Sequence, residues 1–301
     1  MNMSIFKHYH IFGQGISQSL SPAIHNAAFA HHGLPHRYDI RECNDINEVQ
    51  PLIKDASFGG ASVTMPHKLS VSKFCTEQSD PALRIGAINT LVVHDDGNAG
   101  GGRTIRGENT DWSGLHSIIT EKAPSSSSIG LVFGAGGAGR AAVYAMTKAN
   151  IDKIYICNRT LSKAQNIARD FTDLCPAIHC ISNPGDIPEL PDVIIGTIPA
   201  ETTNETWFSH LFQERKRGLC IEMSYKPRVT PLLSVAWRHP EWSTADGLEV
   251  LLRQGFEQSR LWVGAAAPEK RMRDAVKEVV GDASNVIRHR AATTTERPRI
   301  P

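Results

Sequence analysis

Residues 129–148 read IGLVFGAGGAGRAAVYAMTK, and the fold turns on this stretch. Ile129 to Phe133 is a short apolar run with the length of a buried strand. Gly134-Ala135-Gly136-Gly137-Ala138-Gly139 follows at once, and Arg140 to Lys148 continues as an Ala-rich helix. Glycines between a strand and a helix permit a tight turn and let a pyrophosphate approach the backbone at the helix N-terminus. Ile154 to Cys157 is a second apolar run and Leu161 to Phe171 a second helix, so the spacing is that of a βαβ unit. The pattern predicts a Rossmann-like, doubly wound unit with a dinucleotide over Gly134, Ala135, Gly136, Gly137 and Ala138. A glycine-rich turn that packs closely without any ligand is the plainer alternative.

The residues after the second run discriminate between cofactors. A site for NAD usually places Asp or Glu at the end of that strand, where it accepts hydrogen bonds from the ribose hydroxyls. Here the strand ends Cys157-Asn158-Arg159-Thr160, with Lys163 soon after, and no carboxylate stands there. Arg159 and Lys163 can pair with a 2′-phosphate, while Asn158 and Thr160 can donate hydrogen bonds to it. The inversion of charge points to NADP. Solvated cations at a helix start are the competing reading.

Outward from this core, apolar and amphipathic segments alternate along most of the chain. Strands are expected at Tyr9–Phe12, Arg37–Glu42, Ala61–Thr64, Ala87–Val93, Thr104–Arg106, Val193–Ile195 and Leu219–Met223. Helices are expected from Ser21-Pro22, over Ile46–Asp55, from Pro66 through Phe74, over Asp111–Thr120, and at Leu248–Trp262 and Glu269–Val280. Residues 121–129, EKAPSSSSI, read as a link, and 284–301 as a disordered tail. The order argues for α/β architecture with parallel sheets.

The chain has 301 residues, a length that points to about two domains. Hydrophobic residues make up 41% and charged residues 21%, which excludes wholesale disorder. Lys and Arg number 32 against 31 Asp and Glu, a formal charge of +1 with no electrostatic footprint for nucleic acid or an anionic membrane. No apolar run is long enough to span a bilayer. The six cysteines lack a CxxC, and no ligand spacing indicates a metal. Reduced thiols and a cytoplasmic location are therefore expected. Among the 13 histidines, His31, His32 and His67 are expected at the surface.

The first half carries polar residues that a bare scaffold does not need. Ser19 and Ser21 flank Leu20 at a helix start, where two hydroxyls and unpaired N–H groups suit a carboxylate, although Ser21 could equally be a helix cap. Thr64 ends a strand, Lys68 follows in VTMPHK, and Asn89 interrupts an apolar strand in GAINT. Asp111 opens a helix in GENTD, where a simple capping role is the alternative.

Read in order, SLSPAIHN (19–26), GGASVTMPHK (59–68), IGAINT (85–90), GENTDWSG (107–114), GAGGAGRAA (134–142), NRTLSK (158–163), EMSYKP (222–227) and DGLEVLLRQG (246–255) make the chain similar to the shikimate dehydrogenase family. The likeness is closest to the dehydrogenase domain of the fungal pentafunctional shikimate-pathway polypeptide. It covers about residues 8–280.

The resemblance implies an N-terminal α/β substrate domain of residues 1–113 and 248–283, an inserted NADP domain of 114–247, and a cleft between them. It implies a small anionic hydroxylated ring carboxylate as substrate, shikimate or 3-dehydroshikimate, in a monomer or homodimer. Ser19 and Ser21 would meet the carboxylate with Tyr225 nearby. Thr64, Lys68, Asn89, Asp111 and Gln254 would surround the ring hydroxyls, Met223 would contact the nicotinamide, and Gly247 would belong to the cofactor site. Lys68 and Asp111 match the catalytic pair.

Some positions depart from the family pattern. Gln18 stands where a histidine is usual, Ser62 where bacterial members carry asparagine, Glu222 where aspartate is frequent, and Gly255 where bacterial members have alanine. None removes Lys68 or Asp111, but they bear on which ring substituents the site accepts. A quinate dehydrogenase, or an enzyme acting on both compounds, shares the fold and stays open. So does a non-catalytic metabolite sensor, against which the retained Lys68 and Asp111 argue.

Replacing Arg159 by Asp is expected to move the ratio of the NADP and NAD Michaelis constants about tenfold or more toward NAD, as loss of a charge-assisted contact should. Initial rates with each cofactor measure it, and an unchanged ratio removes Arg159 from the cofactor site.

Overall fold

The computed structural model describes residues 5–95, 102–175, 177–214 and 216–281. The segment expected as a tail, 284–301, lies outside them. In chain order the first elements are β1 (His8–Gly13), α1 (Ser21–His31), β2 (Arg37–Glu42), α2 (Gln50–Lys54), β3 (Phe58–Val63), β4 (Glu77–Gln78), α3 (Asp80–Ile85), β5 (Thr90–Asp95) and β6 (Arg103–Glu108). Their strands form one six-stranded sheet in the order β2-β1-β3-β5-β6-β4. β1 runs parallel to β2 and β3, while β5 lies antiparallel to both β3 and β6.

Next come α4 (Asp111–Lys122), β7 (Ile129–Phe133), α5 (Gly137–Lys148), β8 (Lys153–Cys157), α6 (Leu161–Asp170), β9 (Ala177–Ile181), β10 (Val193–Gly196), β11 (Gly218–Glu222), α7 (Pro231–Ala236) and β12 (Trp242–Ala245). These strands make a second six-stranded sheet, β12-β11-β10-β7-β8-β9, with every pair parallel. The order reverses between β7 and β10, which is the doubly wound arrangement and its switch point. α8 (Gly247–Val263) and α9 (Glu269–Val280) close the described chain. No helix among the described residues is long and apolar enough to cross a membrane.

The apolar runs of the second sheet are buried on both faces, which explains why they do not alternate with polar residues. Val132, Ile154, Ile156, Val193, Ile195, Leu219 and Ile221 face one core with α5 and α6. Leu131, Phe133, Tyr155, Ile194 and Cys220 face another with Leu232, Leu233 and Phe208. The first sheet packs Phe12, Ala61, Val63, Leu91 and Ile105 on one side. Its other side presents Tyr9, Ile11 and Tyr38 toward Phe29 of α1 and Trp262 of α8.

Two regions join the sheets. α4 leaves the end of β6, and Leu115, Ile118 and Ile119 enter the core of the second sheet. α3 docks on α5 and α6: Arg84 and Arg140 lie at 5.8 and 5.5 Å from the ring centre of buried Phe171, and Arg140 donates to the Ile85 carbonyl.

Several local expectations differ from the structure. Pro66 begins no continuous helix; two short 3₁₀ turns, His67–Leu69 and Val71–Phe74, take its place. His67 is buried rather than at the surface, because it donates to the Cys43 carbonyl across 3.0 Å. α4 extends to Lys122, so the link begins later than residue 121. Asn89 precedes β5 instead of interrupting it. The sequence reading does not foresee β4, β9, β12, α3 or α7, although Ser79 and Thr230 cap α3 and α7 with a proline in each first turn.

The glycine turn is sterically committed. Gly134 has φ +107°, and a Cβ on Gly139 would lie 2.2 Å from the Gly134 carbonyl oxygen. Gly139→Ala is expected to destabilise the protein by about 1–3 kcal/mol through overpacking and to weaken dinucleotide binding in parallel. A thermal melt and a cofactor titration read the two effects, and wild-type values in both would show that the turn relaxes freely.

Candidate active site

Strand ends and helix starts from both sheets converge on a cavity of about 150 Å³. Its lining includes Ser19, Ser21, Thr64, Lys68, Asn89, Asp111, Met223, Tyr225, Gly247 and Gln254, so these predicted residues share one space. Ser62, noted above as a departure from the family pattern, also lines it, as does Gln258, which the sequence reading does not single out. Gln258 falls one helical turn after Gln254, and that i, i+4 spacing on α8 was the available signal.

At the floor, Lys68 Nζ donates to Asp111 Oδ2 across 2.5 Å, with the two side chains 15% and 6% exposed. Asp111 Oδ1 accepts from Asn89 Nδ2 at 2.9 Å. The direction of the Asn89 amide is set by a backbone donor: Thr110 N–H gives its hydrogen to Asn89 Oδ1 at 2.7 Å. The amide nitrogen therefore faces the carboxylate. Asp111 is the first residue of α4 and its side chain does not cap the helix, so its carboxylate belongs to this network.

At the opposite wall, Ser21 is the first residue of α1 and makes no capping bond; instead Ser19 Oγ lies 3.2 Å from Ser21 Oγ. Tyr225 is held by a side-chain interaction with Ser19, while burial pushes its phenol up from the ordinary range. Next to Tyr225 in the chain, Lys226 Nζ donates to the Gln18 carbonyl at 3.3 Å and to Gln18 Oε1 at 3.1 Å. Glu222 anchors the start of that loop, accepting from Ser224 N–H at 3.0 Å. Burial pushes the Glu222 carboxyl up to about 7.

The glycine turn abuts the same floor. A Cβ on Gly137 would meet Lys68 Cβ at 3.2 Å and Ala87 Cβ at 3.3 Å. α5 begins after Gly136 with no side-chain cap, leaving its first N–H groups available to a phosphate. Asn158, Arg159, Thr160 and Lys163 stand beyond the cavity, at the end of β8 and the start of α6. Asn158 Nδ2 donates to the Thr160 carbonyl at 2.8 Å, shaping that corner. Arg159 and Lys163 are exposed, and neither forms an ion pair among the described residues. The residues present thus fit a phosphorylated dinucleotide: a close glycine cradle, an uncapped helix and free cations.

Family models match in sequence order: a shikimate dehydrogenase substrate binding domain over residues 11–91, a shikimate/quinate 5-dehydrogenase over 118–227, and a shikimate 5′-dehydrogenase C-terminal domain over 247–277. The chain belongs to the shikimate dehydrogenase family. It is 38% identical over 276 residues to the pentafunctional AROM polypeptide of Malassezia globosa, an alignment covering 87% of this chain and 17% of that protein. The chain thus spans under a fifth of the length of the curated relatives it matches.

Among solved structures, dehydroquinate dehydratase and shikimate dehydrogenase from S. pombe AroM is 35% identical, with a TM-score of 0.74, covering 90% of this chain and 53% of that one. Shikimate dehydrogenase from Aquifex aeolicus is 28% identical, with a TM-score of 0.77, covering 90% and 98%.

Glu222 gives this family member a pH signature. Its folded value, near 7, lies above the unfolded carboxyl value of 4.5, so the native state holds the proton more tightly. Its contribution is complete below about pH 4.5 and is lost as pH rises through 7. The loss is on the order of 3 kcal/mol. Glu222→Gln is expected to flatten this decline and raise the melting temperature by a few degrees at pH 8 while changing it little at pH 4. Melts at both values check it; parallel curves for the two proteins would contradict it.

Proposed function

We propose that the protein is an NADP-dependent shikimate dehydrogenase, interconverting 3-dehydroshikimate and shikimate. The observation that carries this reading is the buried Lys68–Asp111 pair, which lies at the floor of a polar cavity and directly against the glycine turn. NADP, when bound, supplies or accepts the hydride. In this reading, residues 1–113 and 248–283 form the substrate unit and 114–247 the NADP unit, working in the cytoplasm.

The chain's own residues divide the remaining work. Ser19, Ser21 and Tyr225 supply hydroxyls on one wall for the ring carboxylate. Thr64, Asn89 and Gln254 face the ring hydroxyls from the other side. In the reducing direction the carbonyl oxygen gains negative charge, and protonated Lys68 hydrogen-bonds it and delivers a proton. Asp111, fixed by Asn89, aims the ammonium and accepts from a neighbouring ring hydroxyl. In the oxidising direction the neutral Lys68 amine recovers the proton from the substrate hydroxyl. Met223 and Gly247 border the nicotinamide, and Asn158, Arg159, Thr160 and Lys163 hold the 2′-phosphate.

Initial rates with shikimate and with quinate, each with NADP and NAD, test the assignment. Turnover is expected to be fastest with shikimate and NADP, and Lys68→Ala should lower it ~100-fold or more. Faster turnover of quinate would overturn the substrate, and near-normal turnover by the Lys68 variant would overturn the mechanism.

A further inference from the structure

SLSPAIHN contains a histidine that the mechanism above does not use. His25 is fully buried on α1, stacked on Tyr38 with ring centres 4.7 Å apart, and edge-on to Trp262 at 4.8 Å. Its Nε2 lies 3.1 Å from Gln258 Oε1, and its Nδ1 is buried without a partner. Burial lowers its pKa to about 3, so the ring is neutral throughout the working range.

The hydrogen directions around it can be assigned. Gln258 contacts the Asn89 carbonyl at 3.3 Å, an obligate acceptor, and Thr90 Oγ1 at 2.8 Å. Thr90 spends its own hydrogen on Asn89 Oδ1 at 2.7 Å, so its oxygen is open to accept. The end of Gln258 that faces Asn89 and Thr90 must therefore be the amide nitrogen. Oε1 then faces the other way and accepts from Ser62 Oγ at 2.9 Å and from His25. His25 must carry its proton on Nε2, which leaves Nδ1 bare and agrees with the absence of any partner there. Ser62 in turn accepts from the Tyr38 hydroxyl at 2.6 Å.

We propose that His25 is a positioning residue: as a neutral Nε2–H donor it locks the amide direction of Gln258 and, through Thr90 and Asn89, the orientation of Asp111 beneath the reacting centre. A reversed Gln258 would set its oxygen against the Asn89 carbonyl and drive the His25 proton from Nε2 to Nδ1, where it is buried without an acceptor. Loss of the His25 donor weakens this discrimination. The inference rests on the dehydrogenase reading, since the residue it ultimately orients is Asp111.

The test uses the purified full chain, with shikimate oxidation followed as NADP reduction. His25→Phe keeps the ring stacking and removes the donor; His25→Gln restores an N–H near the Nε2 position. The Phe variant is expected to lower kcat about tenfold, the effect of one misdirected hydrogen bond, and to leave the KM for NADP unchanged. The Gln variant should recover most of the rate. Combined with Gln258→Met, the Phe substitution should cost nothing further, because both act on one chain.

Wild-type kcat in the Phe variant, equal losses in the Phe and Gln variants, or multiplied losses in the double variant would each overturn the proposal. If the Phe protein does not fold, nitrogen NMR of wild-type His25 decides: a neutral Nε2–H ring from pH 5 to 8 supports it, and an Nδ1–H ring overturns it. An inactive wild type would overturn the dehydrogenase reading itself, whereas an active wild type with an unaffected Phe variant would overturn only the positioning role.

Discussion

A lysine ammonium and an aspartate carboxylate, 2.5 Å apart and largely withdrawn from water, place a heavy demand on their surroundings. Desolvation of the two ions costs several kcal/mol and is offset only when the geometry is good and the remaining lone pairs and protons find partners. The structure meets the demand in layers. Asn89 satisfies Asp111, the Thr110 backbone aims Asn89, and Gln254 and Thr110 share a further contact at 3.2 Å. The antiparallel β5–β6 pair brings Asn89 and Asp111 side by side, since one precedes β5 and the other follows β6. The 3₁₀ turn after β3 delivers Lys68 to the same point.

What could be read from the sequence follows from how local each cause is. The GAGGAG turn announces itself because strand, glycines and helix are contiguous, and the parallel strands around it are apolar throughout. β12, WSTA, has no such signature; its identity comes from pairing with β11, far from it in kind though near in sequence. Asn89 looks like a polar break in a strand, whereas its amide is claimed by Thr110 from another element. His67 reads as a surface residue, but it is drawn inward by one carbonyl, that of Cys43, which no local pattern discloses.

The same limit applies within the cavity. The family motifs place Ser19, Ser62, Lys68, Asp111 and Gln254 in their neighbourhood, but Gln258 lies outside them and matters through partners on other elements. On α8 a glutamine every fourth residue looks like ordinary polar patterning. The packing of α8 against α4, α1 and β5 turns that stripe inward, where both side chains are buried and hydrogen-bonded.

The late arrival of α8 in the chain has a kinetic meaning. The His25–Gln258 contact joins positions 233 residues apart, and Ser62–Gln258 joins positions 196 apart. Contacts of such separation form slowly, because chain entropy must be surrendered before they give anything in return. The first sheet draws its strands from nearby segments, whereas the cavity wall that α8 supplies lies beyond the whole second sheet in the chain. The site is therefore complete only with α8 docked, because Gly247, Val250, Leu251, Gln254 and Gln258 of that helix line the cavity.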